Sequence, residues 1–186
     1  MKKYAISLLL CFLLAGCGEQ NTELNDALEL RTKLLQGSGC SFTAQVTAQY
    51  GDALYSFAMD CTADRSNCLL FTVTQPESIA GITGKLTSDT GELTFDDTAL
   101  QFPLEADQQL SPVSAPWILL KALRSGYIAS VCREEGQLRL SLDDSYREDT
   151  LRLDIWLDTD HLPEQADILQ NGRRILSVTV KDFVIL

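Results

Sequence analysis

Apolar and polar residues alternate over much of this chain, which is the period-two pattern of half-buried β-strands. Every second residue is apolar across residues 42–50, and Gly51 predicts a turn after them. A return strand with one apolar face follows over residues 55–61, then a turn over 63–67 and a third strand over 69–74. This order predicts an antiparallel meander.

Later segments continue the strand pattern. Glycines at 81, 84 and 91 punctuate the next stretch, and short strands are expected around its apolar positions: Ile79, Ile82, Leu86, Leu93 and Phe95. Pro103 is expected at an edge or in a loop. Longer strands are predicted over residues 127–132, 137–142 and 151–158, and Asn171 with Gly172 predicts the tip of a final hairpin. About ten strands without long helices between them indicate an antiparallel sheet.

Two segments have helical periodicity instead. Residues 21–36 carry apolar side chains at three-, four- and seven-residue spacing before Gly37, which predicts an amphipathic helix. Residues 114–125 include Pro116 near their start, end before Gly126 and are apolar over most of a helical surface. The second helix is therefore expected to be largely buried.

The start of the chain follows the order charged, apolar, small. Two lysines precede an apolar run over residues 4–14, which is shorter than the roughly 20 residues that a membrane-spanning helix needs. This order predicts a cleaved signal peptide over residues 1–16. The small residues before Cys17 resemble a bacterial lipobox, which implies cleavage between Gly16 and Cys17 and a lipid on the cysteine thiol.

Three segments are therefore expected. They are a signal peptide over residues 1–16, a lipidated Cys17 with a short polar tether over residues 17–22, and one domain over residues 23–186. The acyl chains make a membrane the first partner. The expected location is the extracytoplasmic side of a cell membrane or an outer membrane.

The charge balance is strongly acidic. The full chain has a formal net charge of −11, and the signal peptide holds two of its 15 basic residues and none of its 26 acidic ones, so the remainder carries −13. This charge disfavours nucleic acid and anionic lipid headgroups as partners. Solubility is the simplest explanation of the charge, and recognition of a cationic partner is the alternative.

The expected mature chain has four cysteines besides the lipidated one: Cys40, Cys61, Cys68 and Cys132. An oxidising compartment permits two disulfides. A turn near Gly51 predicts Cys40 opposite Cys61, whereas a turn near Asp64 predicts Cys61 opposite Cys68. The sequence leaves both pairings open.

Few residues are arranged for catalysis. Asp96 with Asp97 and Asp143 with Asp144 are adjacent acidic pairs, which are typical of solvated turns, and His161 has no convincing partner set. A zinc site is disfavoured because His161 is the sole histidine and there is no C-x-x-C pair. We expect no enzymatic activity, no metal and no other cofactor.

Apolar, Asp, Pro and Gly positions follow a familiar order toward the end of the chain. Residues 153–158 lead to Pro163 and then to Gly172. With residues 76–84 and the helix near Trp117, this order resembles that of the LolA/LolB type of bacterial lipoprotein carrier. In length the chain also resembles the clostridial germination lipoproteins. The resemblance implies a mainly β fold, a curved antiparallel sheet or incomplete β-barrel with helices covering its concave face.

The resemblance further implies an apolar cavity for the acyl chains of lipids or lipoproteins. Nine residues on inward strand faces or on the second helix are candidates to line it: Phe42, Val46, Phe57, Met59, Phe71, Trp117, Leu120, Ile155 and Leu157. The alternative is that these side chains pack as a closed core. The expected function is binding of acyl chains at a membrane, and the alternative is a non-enzymatic lipoprotein that binds another envelope or cell-wall protein.

Overall fold

A computed structural model of the chain describes residues 22–88, 90–106, 109–145 and 151–186. It contains helices α1 (Thr22–Gln36) and α2 (Ala115–Ser125), and 3-10 turns at Glu77–Ile79 and Pro112–Ser114. The strands are β1 (Gly39–Tyr50), β2 (Ala53–Asp64), β3 (Leu69–Gln75), β4 (Thr83–Leu86), β5 (Gly91–Phe95), β6 (Thr98–Phe102), β7 (Glu105–Ala106), β8 (Gln109–Leu110), β9 (Tyr127–Glu134), β10 (Gln137–Asp143), β11 (Leu151–Leu157), β12 (Pro163–Gln170) and β13 (Arg173–Ile185). The signal peptide, Cys17 and the tether up to residue 21 lie outside the described residues and stay predictions.

Eleven strands form one antiparallel sheet in the order β6-β5-β4-β3-β2-β1-β13-β12-β11-β10-β9. Two meanders, β1 to β6 and β9 to β13, are joined where β1 pairs with β13. The edge strands β6 and β9 are not paired with each other in the described part of the chain, so the sheet is an open, incomplete barrel. The predicted fold class is confirmed: mainly β, with two helices and one large antiparallel sheet.

Alternation along the strands gives the sheet one buried face. Ala44, Val46 and Ala48 of β1 are fully buried. Across the β1–β2 pair, Met59 lies opposite Ala44, and Phe57 lies opposite Val46. Because paired residues of antiparallel strands share a face, the apolar set of each strand extends the apolar set of its neighbour.

The connection between the two edge strands crosses the concave face. It leaves β6 at Phe102, forms the β7–β8 hairpin and a 3-10 turn, and continues as α2 until β9 begins at Tyr127. Nine of the eleven residues of α2 are buried. The prediction of a largely buried second helix is therefore confirmed.

Helix α1 lies against α2 and β9. Its buried residues are Ala27, Leu30 and Leu34, whose spacing of three and four places them on one helical face. Leu28 and Leu35 are exposed. Among the described residues, neither helix has the length and apolar content needed to cross a membrane.

Two details of the first meander differ from the prediction. Ile79 lies in a 3-10 turn rather than a strand, because residues 76–82 reverse the chain between β3 and β4, and the Ile79 amide donates to the Pro76 carbonyl. Strand β6 is not predicted by the apolar pattern, since Leu100 and Phe102 are its only large apolar residues. It follows a tight turn in which two aspartates have positive φ angles.

Candidate functional site

A cavity of about 340 Å³, here called the α2 cavity, lies where α2 crosses the open side of the sheet. Helix α2, the segment after β6 and the ends of β10 and β11 bound it. Most of its lining is apolar: Pro103, Leu104, Leu110, Trp117, Ile118, Ala122, Leu151 and Leu153. Its volume is at the lower end of the range of about 300–1,000 Å³ that small-molecule sites occupy. The cavity therefore suits a slender apolar group.

The polar groups that line the α2 cavity include two exposed charges, Lys121 and Asp144. The Lys121 Nζ lies 5.4 Å from the centroid of the Trp117 ring, a cation–π distance. The Asp144 Oδ1 accepts a hydrogen bond from the Leu151 amide at 3.0 Å, which connects the residue after β10 to the first residue of β11. Exposed charges beside an apolar lining suit a ligand with a polar end and an apolar body.

The turn between β2 and β3 holds one side of α2. The Trp117 Nε1 donates to the Asn67 carbonyl at 2.7 Å. The Arg124 Nη1 donates to the Asp64 carbonyl and to the Asn67 Oδ1, each at 2.8 Å. Hydrogen bonds to the Asp64 carboxylate, first that from the Ser66 hydroxyl, lower the pKa of Asp64 and order the turn.

Arg31 of α1 holds the carboxyl end of α2. Its Nε donates to the Leu123 carbonyl and its Nη2 to the Gly126 carbonyl, both at 2.8 Å. These carbonyls have no partner within the helix, and a cation at this end also interacts favourably with the helix dipole. Helix α2 is thus tied to α1 and to the β2–β3 turn.

Two hydrogen bonds position the apolar residues contributed by the β7–β8 hairpin. The Ser111 amide donates to the Leu104 carbonyl at 2.9 Å, which closes the hairpin. The Tyr50 hydroxyl donates to the Leu110 carbonyl and so ties the hairpin to the end of β1. Leu104 and Leu110 are held on one wall of the cavity in this way.

Of the nine predicted cavity residues, Trp117 lines the α2 cavity. Phe57 is half-buried and packs against the core. The other seven are buried in that core: Phe42, Val46, Met59, Phe71, Leu120, Ile155 and Leu157. In the structure these side chains pack as a closed core, which the sequence leaves open as the alternative to a lipid cavity. The helices and the neighbouring strands cover their part of the concave face. Phe42, for example, stacks on Phe183 with ring centroids 5.3 Å apart.

The sequence prediction does not include most residues that line the α2 cavity. Leu104 and Leu110 lie around a two-residue hairpin, where no periodic pattern marks them. Ile118 was recognised as part of the second helix but not as a cavity residue. A usable signal exists only on β11, where Leu151 and Leu153 share the face of Ile155.

The hairpin registers differ from those predicted for the cysteines. Cys40 lies opposite Ala63, because Tyr50 pairs with Ala53 around the turn and shifts the register by two residues. On β3 the residue opposite Cys61 is Phe71. Both predicted facing positions are therefore wrong.

All four cysteines of the described chain are free thiols in the structure. Cys40 and Cys61 are buried, Cys68 is half-buried and Cys132 is exposed. Burial raises the pKa of Cys40 to about 11, and burial likewise raises the pKa of Cys61. Neither buried thiol is activated at neutral pH. Disulfide pairing stays a prediction.

The polar residues considered for catalysis lie apart. The His161 Nε2 is 3.7 Å from the Asp26 Oδ2, between the β11–β12 turn and α1. Asp143 forms an ion pair with an arginine of β11 at 2.8 Å. Asp96 and Asp97 form the tight turn before β6. Within the described residues, no three of the side chains that bind metals are grouped as a metal site requires.

The sequence matches no protein-family model and no curated protein. Solved structures with a similar fold include a LolA superfamily protein from Nitrosomonas europaea, which is 10% identical, with 86% of this chain and 93% of that chain covered and a TM-score of 0.45. A putative outer membrane lipoprotein-sorting protein domain from Vibrio parahaemolyticus is 11% identical, with coverages of 87% and 91% and a TM-score of 0.45.

A third similar chain belongs to the structure of the CwlD amidase from Clostridioides difficile in complex with the GerS lipoprotein. It is 13% identical, with 91% of this chain and 99% of that chain covered and a TM-score of 0.45. Structures of the LolA type are thus among those that this chain resembles. The likeness concerns the arrangement of the backbone and does not transfer a ligand or a partner to this chain.

Proposed function

We propose that this chain is an exported lipoprotein, anchored by a lipid on Cys17, that holds an acyl chain in the α2 cavity. The α2 cavity carries the proposal, because about 340 Å³ of mostly apolar space lies at the open side of the sheet. An acyl chain is narrow, apolar and polar at one end, which fits an apolar lining beside Lys121 and Asp144. Neither a cofactor nor a nucleic acid is part of this function.

The anchor is supported by the first 17 residues and by their order of charged, apolar and small positions. It places one domain, residues 23–186, on the extracytoplasmic side of a cell membrane or an outer membrane. A tethered binder exchanges ligand with the membrane that carries it, since the short tether keeps the cavity at high local concentration there.

Ligand binding is tested by titrating the protein with a fluorescent fatty acid. We expect saturable uptake of one probe per chain. Leu104→Trp fills part of the α2 cavity from a half-buried position and should weaken binding about tenfold or more, which is about 1.4 kcal/mol. Leu54→Trp, at a position that is 68% exposed on β2, is the matched control and should bind as the wild type does. Unsaturable uptake, or equal binding by the two variants, contradicts the proposal.

The anchor is tested by labelling cells with radioactive palmitate. The wild-type protein should incorporate label, and Cys17→Ser should lose it and keep the precursor mass. Cys68→Ser is the matched control and should stay labelled. A labelled Cys17→Ser protein would show that the lipid is attached elsewhere.

A second function, binding of another envelope protein, is favoured by edge strand β6. Its residues carry no charge, and Leu100 is 63% exposed. Leu100 lies opposite Leu93 of β5, which lies opposite Gly84 of β4. The buried Phe71 ring packs on the same face of Gly84, so Leu100 faces the concave side. An uncharged edge strand with an exposed leucine can accept a strand from a partner.

The second function predicts one dominant partner in a pull-down from envelope extracts. Leu100→Lys should abolish this capture and leave fatty-acid binding unchanged, because Leu100 does not line the α2 cavity. Leu70→Lys, at a position 52% exposed on β3, controls for added charge. Capture that survives Leu100→Lys argues against β6 as the binding edge.

A further inference from the structure

Helix α1 carries a second apolar surface in addition to its buried one. At 3.6 residues per turn, Leu24, Leu28 and Leu35 fall within roughly 40° of one another around the helix. Leu28 is 42% exposed and Leu35 is 56% exposed, whereas Leu24 is half-buried. These three residues, here called the leucine stripe, lie beside the buried face of Leu30 and Leu34 and are not needed to complete it.

The position of the predicted anchor brings the leucine stripe close to the membrane. Thr22, where α1 begins, is only five positions after Cys17 in the chain. An extended chain spans at most about 3.6 Å per residue, so the first residue of α1 lies within about 18 Å of the lipidated residue in any conformation. From Leu24 to Leu35 the stripe is about 17 Å long, at 1.5 Å per residue.

The charges around the leucine stripe favour a neutral lipid surface. Lys33 is paired with Glu29 at 2.8 Å, and the Arg31 guanidinium donates to carbonyls of α2. Neither cation is left to attract an anionic headgroup, and the chain from Cys17 onward is acidic, with 13 basic and 26 acidic residues and a formal net charge of −13. Apolar burial, rather than charge, is the interaction that remains for this surface.

We propose that the leucine stripe of α1 lies in the interfacial region of the membrane that carries the anchor. This inference rests on the proposed lipidation of Cys17. It assigns an orientation to the anchored domain: α1 lies on the bilayer, with Leu30 and Leu34 turned toward the protein. A half-exposed apolar stripe binds a membrane weakly by itself, and the anchor makes that binding intramolecular.

This orientation brings the α2 cavity close to the lipid. Arg31 lies next to the leucine stripe on the surface of α1. Its side chain donates to the carbonyl of Gly126, a residue that lines the cavity. The cavity and the stripe are therefore separated by about one arginine side chain. A ligand that leaves the bilayer next to α1 reaches the cavity with little exposure to water.

The test uses the full lipidated protein on phosphatidylcholine vesicles that contain brominated lipid, which quenches tryptophan at interfacial depth. Leu35→Trp places a reporter on the stripe. Leu54→Trp is the matched control, because Leu54 lies just after the turn between β1 and β2. The 12-residue strand β1 separates this turn from the end of α1 by about 35–40 Å. Flotation isolates the vesicle-bound fraction. Lipidated wild-type protein, without either substitution, gives the background quenching of the two native tryptophans.

Quenching of the Leu35→Trp reporter should exceed that of the Leu54→Trp reporter at least about twofold. Equal quenching of both reporters in protein that floats overturns the leucine stripe and leaves the anchor intact. Protein that does not float overturns the anchor and the stripe together. Added anionic lipid should not increase the quenching at Leu35→Trp, and an increase would contradict apolar burial as its cause.

Discussion

The two helices differ in their apolar patterns in sequence and have opposite roles in the fold. Helix α2 buries nine of its eleven residues, whereas α1 buries three of its fifteen. The positions of the helices in the fold match their sequences. Helix α2 crosses the concave face between the edges of an open sheet, while α1 packs on α2 and β9 from outside. A helix over the opening of an incomplete barrel becomes part of the core, and the next layer keeps a free surface.

The polar contacts of the two helices follow the same division. Trp117 and Arg124 of α2 donate hydrogen bonds to backbone carbonyls of the β2–β3 turn, and a carbonyl in the last turn of α2 accepts one from the Arg31 side chain. Helix α1 has looser ion pairs at its start, with Glu23 and Asp26 at 3.6 and 3.9 Å from Arg133. Exposed pairs of this kind contribute little to stability. The contrast predicts which substitutions unfold the protein.

The largest effect is expected from Leu119→Ala. Leu119 of α2 is fully buried, and its truncation leaves a cavity in the core, so the free energy of unfolding should fall by about 3 kcal/mol. Leu28→Ala on α1 is the matched control, at 42% exposure, and should change it by less than about 0.5 kcal/mol. Urea denaturation measures both, and equal losses would remove the distinction between the helices.

An intermediate effect is expected from Arg31→Ala, which removes the connection between the helices. The loss of charge-assisted hydrogen bonds to the end of α2 should cost about 2 kcal/mol. Amides of the last turn of α2 should also exchange faster with solvent. Arg31→Lys keeps the charge at the helix end and should recover part of the loss. An Arg31→Ala protein as stable as the wild type would show that α2 is held by the sheet alone.

The smallest effect is expected from Asp64→Asn at low pH. Hydrogen bonds, first from the Ser66 hydroxyl, lower the pKa of Asp64 in the folded state. The resulting stabilisation is complete above the unfolded pKa of about 3.9 and is lost as pH falls through the lower folded value. The wild type should therefore lose slightly more stability below about pH 4 than Asp64→Asn does, by a few tenths of a kcal/mol because the carboxylate is exposed.

Thermal unfolding from pH 2 to pH 7 measures this difference. Asp52→Asn, in the turn between β1 and β2, removes the same charge from another hairpin and is the control. If the stability of the wild type and of Asp64→Asn falls in parallel as the pH is lowered, protonation of Asp64 does not weaken the β2–β3 turn.

Much of the fold follows from local patterns in the sequence. Alternation at Leu153, Ile155 and Leu157 predicts β11 with its buried face, and Asn171 with Gly172 predicts the β12–β13 hairpin. Pairing register is less accessible: the residue opposite Cys40 is two positions from the predicted one, and a shift of two keeps every side chain on its own face. The pattern is the same in either register, and the turn geometry decides between them.

The candidate site was predicted less well than the fold. The concave face and the covering helix were anticipated, and Trp117 is common to the predicted and observed linings. Leu104 and Leu110 come from a hairpin whose strands have only two residues each, too short for any periodic signal. A cavity is the space that packed side chains leave, so its walls depend on how far α2 stands from both edges of the sheet.

By itself, the sequence determined the alternation that builds a one-faced antiparallel sheet and the burial of the second helix, and it predicts a signal peptide over residues 1–16 before Cys17. These properties depend on residues that are close in sequence, since strand and helix periodicities are local. Only the tertiary structure decided that the sheet stays open between β6 and β9, that a cavity lies under α2, and that Leu28 and Leu35 of α1 face outward while Leu30 and Leu34 face inward. The leucines of α1 have the same chemistry, and what separates them is which neighbour the fold brings to each side.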